Sequence, residues 1–353
     1  MRFPIRVFVL LLAAALCALA ADPALLKLAM PDASVLVGIR LDQIKSSPLG
    51  QLAFSQVNVA DAEFKKIVQM VGFDPLRDLH EVLIAVPSAP GKQRALVAVR
   101  GVFDPARLPT LAKLGGAQLT SYQGIEIATA KQEQQEFSVA ALDPATLILG
   151  DPESVRGAIA RRATGSRLSP KLLAKTDALS KAYDIWGVTI IPPGALAKGV
   201  PNPQLQAMLK GDALQSIQEA SGGIRFGKDI RVALEVVTRT EKDAASLGDV
   251  FKFLAGLALT QGKPEQAKLL ESLQVKVEGT TLKFALTIPE QQIAQMIEAQ
   301  KKAMAAQRRR PAAKPAPGET APVRTAPVQT GSQEITIYSS PKDMGVVKLP
   351  APK

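Results

Sequence analysis

Apolar positions recur along the chain in short runs bounded by Gly, Pro, Asn and Asp, the pattern of strands punctuated by turns. Ser34 to Leu41 and Tyr183 to Ile190 are two such runs, each with a glycine inside, Gly38 and Gly187. Arg94 to Arg100 and Arg231 to Val237 read as strands. Each of these two is followed by a helical pattern, Pro105 to Leu114 in one case and Glu241 to Leu259 in the other. Phe137 to Gly150 then predicts strands and Ser154 to Arg162 a helix; Val275 to Ile288 and Gln291 to Lys302 repeat that order. The two series agree in element order and pattern with little identity, which points to a diverged duplication. The expected fold class is α+β, with two repeats over residues 21–170 and 171–302. Each would be an antiparallel sheet with helices packed on one face.

The two ends read differently from this body. Arg2 and Arg6 precede an apolar run from Val7 to Leu16, and Ala18-Leu19-Ala20 supplies a small-x-small cleavage pattern. Residues 1–20 therefore read as a secretory signal cut before Ala21. The run is shorter than the about 20 apolar residues of a membrane span. Leu16 stands before Cys17 where a lipidation motif needs a small side chain, which argues against a lipoprotein. An uncleaved leader serving as an anchor is the competing reading. Cleavage would remove the single cysteine, so the mature chain would enter an oxidising compartment without disulfides. It would rely on an apolar core, for which the 279 residues from Asp22 to Gln300 suffice.

Beyond Gln300, Pro311, Pro315, Pro317, Pro322 and Pro327 disfavour helix and central strand. Residues 303–332 read as an extended basic linker within a mostly disordered C-terminal tail. Residues 333–353 form a short strand-like element, with Glu334 to Tyr338 and Val346 to Leu349 separated by turn chemistry at Pro341 to Gly345. Such an element could add an edge to a sheet.

The formal net charge of +11 suggests nucleic acid until it is apportioned. From Lys301 onward there are ten Lys/Arg against three Asp/Glu, so the tail carries +7 and the leader +2, leaving +2 on the body. The tail cations Lys301, Lys302, Arg308, Arg309, Arg310 and Lys314 are the candidate contacts for an anionic partner, a cell-envelope component or an envelope protein. Only Tyr338 could stack on bases in this stretch, which disfavours nucleic acid. Membrane association could run through the basic tail or an uncleaved leader. A solubilising spacer is the plain alternative.

Few motifs suggest catalysis. Gly222 to Asp229 has phosphate-loop spacing, but Asp229 replaces the Ser/Thr, and a strand pattern follows where a helix is needed. Gly227-Lys228-Asp229 reads better as a hairpin turn. Five Asp-Pro pairs begin at Asp22, Asp74, Asp104, Asp143 and Asp151. Asp followed by Pro is a helix-start signature, which Asp104 and Asp151 fit; Asp143-Pro144-Ala145 fits a turn between strands. His80 is the only histidine, too few for an ordinary zinc site or for a triad without a nucleophile elbow. The wide apolar face over Glu241 to Leu259 suits core packing, membrane contact or a lipid groove. Core packing is preferred, and Thr240 with Asp243 resembles a helix cap.

Pro31 to Leu41, and Val71 to Leu83 with its Gly-Phe-Asp-Pro-Leu-Arg-Asp segment, resemble a group of uncharacterised exported bacterial proteins of a domain-of-unknown-function type. That resemblance implies an exported α+β protein and transfers no catalytic residue. The function expected is a non-enzymatic envelope protein that binds or scaffolds a partner, tethered by its basic tail, with no catalytic, metal or cofactor residues assigned. Two alternatives stay open. One is an envelope hydrolase using carboxylate chemistry, with Asp74 and Asp78 to test first, or Ser/Lys chemistry. The other is an apolar-ligand carrier.

Overall fold

The structure, a computed structural model, describes residues 21–55, 72–87, 94–132, 135–190, 215–261, 272–295, 298, 334–336 and 346–348. A first compact unit runs to Gln300. It opens with α1 (Pro23–Leu26), β1 (Ala33–Arg40), α2 (Leu41–Ser46), α3 (Pro48–Ser55) and α4 (Pro75–Asp78). Next come β2 (Leu79–Pro87), β3 (Leu96–Gly101), a 3₁₀ turn (Pro105–Arg107) and α5 (Leu108–Leu114). Strands β4 (Gln118–Tyr122), β5 (Ile125–Gln132), β6 (Gln135–Asp143) and β7 (Thr146–Gly150) precede α6 (Pro152–Thr164) and α7 (Pro170–Ala182). The unit continues through β8 (Ile185–Ile190), β9 (Ile217–Phe226), β10 (Ile230–Thr238), α8 (Glu241–Gln261), β11 (Gln274–Glu278) and β12 (Thr281–Ile288).

Local chemistry sets many of these boundaries. Asp22, Asp74, Asp104 and Asp151 each accept a first-turn backbone N–H, from Ala24, Leu76, Ala106 and Ser154 at 2.8–3.1 Å. A proline follows each one and supplies the preset φ of the first helical position. The fifth aspartate, Asp143, accepts from Ala145 N–H at 2.7 Å and closes the β6–β7 turn. Thr240 receives the Asp243 N–H at 3.2 Å and starts α8 as expected.

All twelve strands form one antiparallel sheet in the order β11-β12-β10-β9-β8-β1-β2-β3-β7-β6-β5-β4. The expectation of two separate sheets is corrected here, because β1 pairs with β8 from Val35–Thr189 to Ile39–Ile185 and joins them. Apart, each of these strands would present an unpaired row of N–H and C=O groups; together they satisfy them.

Alternation along the strands divides the sheet into two faces. On the first face Leu36, Leu83, Ala85, Leu96, Ala98, Ile148, Trp186 and Val188 form the main core with α1, α6 and α7, through Leu25, Val155, Ile159 and Leu172. Val236 and Leu282 are cross-strand partners on the opposite face, where Leu247 of α8 covers them. Helices therefore lie on both faces rather than one. Val232, Leu234 and Val236 of β10 and Leu282, Phe284 and Leu286 of β12 point to that second face, while the first-face positions Glu235, Lys283 and Lys276 are polar. Helix α8 can bury apolar area only where it sits.

The second unit spans residues 301–353. Its described part is an antiparallel pair of strands, β13 (Glu334–Thr336) and β14 (Val346–Lys348), with Ile335 opposite Val347. Both strands lie where the sequence predicts them. The linker 303–332 lies outside the described residues.

Candidate functional site

The second face of the sheet carries a trough. Cross-strand register lines up Leu234, Gly222, Gly187, Val37, Ile84 and Val97 in one row from β10 to β3. Two glycines side by side leave a gap in the middle of that row. A cavity of about 430 Å³ occupies it, lined by Val35, Val37, Thr189, Ala220, Ile224, Val232 and Leu234 as well as the glycines, with no ionisable residue among the described residues of the lining. The two glycines differ in what they permit. A Cβ on Gly187 would meet nothing nearer than Val37 Cγ2 at 3.7 Å, so the missing side chain itself makes the space. A Cβ on Gly222 would collide with the carbonyl oxygen of Ala233.

Two other clefts carry charge. One of about 470 Å³ beside α6 includes Tyr122, Glu153 and Arg156, and one of about 240 Å³ includes Glu126 and Asp143. All four charged residues are exposed.

On the first face a cluster of ion pairs fastens α7 to the sheet. Lys171 and Lys175, one helical turn apart, reach Glu219 of β9 at 2.7 and 2.8 Å. Lys175 also meets Glu235 of β10 at 3.0 Å. Glu219 is only 2% exposed at its side chain. Burial pushes its carboxyl up, but hydrogen bonds from the two lysines outweigh this and hold it below the usual carboxylate range. Burial likewise pulls the Lys175 ammonium down, while Glu219 and Glu235 together hold it above its ordinary value. A carboxylate kept ionised by two ammonium groups clamps well and is a poor proton donor. A second buried pair, Arg40–Asp184 at 3.0 Å, ties the end of β1 to the start of β8. Asp184 also accepts the Phe226 N–H of β9 at 2.8 Å.

The residues that the sequence offers for catalysis are occupied by structure. Asp74 caps α4. Asp78 is buried, accepts the Asp74 N–H at 2.8 Å and pairs with Arg77 at 2.6 Å, whose hydrogen bond holds its carboxyl low. His80 meets only Asp42 among the described residues, at 2.9 Å. Gly222 to Phe226 belong to β9, and Gly227-Lys228-Asp229 form the β9–β10 turn as expected. In α8, Ala244 and Leu247 are buried, and Phe251 packs edge-on against Phe284 with centroids 4.7 Å apart. Phe253 is 61% exposed, so core packing accounts for part of that apolar face and not all of it. Lys301, Lys302, Arg308, Arg309, Arg310 and Lys314 lie outside the described residues. Among the described residues no three potential ligands cluster for a metal, and no helix is long and apolar enough to cross a membrane.

Sequence reasoning missed both the trough and the lysine clamp. Gly187 was visible as a glycine inside an apolar run, but its pairing with Gly222 needs the β8–β9 register. Glu219 and Glu235 within strand patterns, with lysines spaced i,i+4 on one helix, were the available signal for the clamp.

Fold and site together define an α+β protein built on one antiparallel sheet. No family model and no curated protein matches the chain. Among solved structures it is similar to TP0453 in crystal forms IV, III and I, at 14%, 15% and 15% identity. These cover 79% of this chain and 97%, 99% and 98% of that one, with TM-scores of 0.45, 0.47 and 0.44.

Proposed function

We propose that this chain is an exported, non-enzymatic binding protein of the cell envelope, whose body seats an apolar ligand and whose basic tail tethers it to an anionic envelope component. The observation that carries the binding reading is the trough over Gly187 and Gly222, a cavity of about 430 Å³ with no ionisable residue among the described residues that line it. That volume lies within the ordinary range of ligand sites, roughly 300–1,000 Å³. Of the readings the sequence left open, this favours the apolar-ligand carrier. The hydrolase reading loses its first candidates, because Asp74 and Asp78 are engaged in capping and pairing. Export rests on the leader pattern of residues 1–20, and the tether on the tail's charge of +7.

The body is further read as a diverged repeat. Outward from the β1/β8 seam the order β1-β2-β3-β7-β6 is mirrored by β8-β9-β10-β12-β11. The segments matched in sequence hold equal ranks in that order, which supports the reading.

Gly187→Leu tests the ligand site, since the space is open there and leucine would fill it. Each methylene of ligand displaced costs about 0.8 kcal/mol, so losing two or more lowers affinity at least about tenfold. Binding of a fluorescent single-chain fatty acid should fall by that factor while the urea midpoint is retained. Unchanged binding would overturn the site. Recovery of the chain on anionic envelope fractions, with and without residues 301–353, tests the tether; equal recovery counts against it.

A further inference from the structure

The described residues begin at Ala21, just after the expected end of the leader. Ala21 is buried and belongs to the main core cluster. Asp22 is held from three directions. Its N–H donates to Glu81 Oε1 at 3.1 Å, its Oδ1 accepts from Ala24 N–H at 2.8 Å, and its Oδ2 accepts from Arg100 Nε at 2.7 Å. Arg100 is itself fixed on Thr146 Oγ1 at 2.9 Å. Residues 21 and 22 are thus part of the packed body.

Glu81, on β2, faces this junction. Burial pushes its carboxyl up; the Asp22 N–H acts against this, as do Arg40 on β1 and Arg100 on β3, without prevailing, while the Asp22 carboxylate adds to the rise. The Asp22 contact to this carboxylate is a neutral backbone amide. A cation at this spot would remove the imbalance. Successive residues of a trans chain lie about 3.8 Å apart, so the nitrogen of Ala21 is one residue from the N–H that Glu81 already holds.

We propose that Glu81 is the acceptor for the α-ammonium group that leader cleavage creates on Ala21, so that processing completes the packed body. The inference rests on the export reading above. Hydrolysis of the Ala20–Ala21 amide by water leaves a carboxylate on Ala20 and an ammonium on Ala21. Before cleavage the same nitrogen is a neutral amide with one proton and no charge. Afterwards it offers three donors and a positive charge to a carboxylate that accepts at two oxygens.

The pairing raises the α-amino group above its ordinary value of about 8. A group raised on folding adds stability that is fully present below that ordinary value and is lost as pH climbs through the raised one. The test compares the chain of residues 21–353 with a free Ala21 amine and the same chain acetylated at that amine. Urea midpoints are read at about pH 6 and about pH 10, on either side of the ordinary amine value. The free chain should be the more stable at the lower pH and equal at the higher, and in Glu81→Gln the difference should vanish. A second readout needs no variant: acylation of the α-amine should be about tenfold slower in the native chain than in urea for each unit its value is raised. Equal midpoints at the lower pH, a difference that survives Glu81→Gln, or equal acylation rates would each overturn the pair. An intact mass showing residues 1–20 on the envelope-bound protein would instead sink the cleavage reading, and the pair in the native protein with it.

Discussion

Gly38 of β1 lies directly across from Trp186 of β8, and the indole ring fills the volume that a Cβ on Gly38 would need. On its other side Trp186 faces Gly223 of β9. The largest fully buried side chain among the described residues therefore fills the space over Gly38, while Tyr183 takes the space over Gly223, at the seam where the two halves of the sheet meet.

Gly38→Ala should accordingly destabilise the protein by about 1–3 kcal/mol, the usual range for overfilling a packed core. Trp186 is the sole tryptophan and is 1% exposed, so its fluorescence during urea unfolding reports on this seam directly. A variant with the wild-type midpoint and an unshifted emission maximum would refute the tight packing.

The lysine clamp on Glu219 makes stability depend on pH. A carboxyl lowered on folding contributes stability that is present above its unfolded value, about 4.3 for glutamate, and lost as pH falls through the lower folded value. Lys175→Met should cost on the order of 2 kcal/mol near neutrality, less than the about 3–5 kcal/mol of a fully buried pair. The reduction follows because Lys175 is 31% exposed and Lys171 still holds Glu219. Urea midpoints across the acid range should then decline less steeply than in the wild type. Parallel curves would show that the clamp contributes no pH dependence.

Capping aspartates should differ according to what else they hold. Asp151 starts α6 and also accepts the Ala95 N–H at 3.1 Å, next to β3. Asp151→Ala should cost about 1–2 kcal/mol, the upper part of the range for a lost helix cap. Asp104 caps an exposed 3₁₀ turn, and Asp104→Ala should stay within about 0.5 kcal/mol. Thermal unfolding of the two variants side by side decides this; equal losses would mean that the second contact of Asp151 adds nothing.

The elements that could be read from sequence were those whose physics is short-ranged. Asp-Pro caps at Asp104 and Asp151, the Asp143-Pro144 turn, the Gly227-Lys228-Asp229 turn and the Thr240 cap each depend on residues within three positions. The strands at Ser34, Arg94 and Arg231 followed from apolar runs and were placed within a few residues of their observed starts. The phosphate-loop spacing at Gly222 was set aside because a strand pattern came where the chemistry required a helix, and β10 does follow there. The side of the sheet on which α8 packs was not legible, because an amphipathic face shows that a helix must bury something without showing against what.

By itself the sequence determined the α+β class, part of the strand and helix order, the helix starts at Asp104, Asp151 and Thr240 and the concentration of positive charge beyond Gln300, because these follow from backbone preference, alternation and composition. Only the tertiary structure decided that two sheets become one, that Gly187 and Gly222 stand side by side over a trough, and that Lys175 meets Glu219. Each of these requires strands or helices distant in the chain to meet in a particular register, and a shift of one residue would turn every side chain to the other face. Register is settled by the packing of the whole sheet.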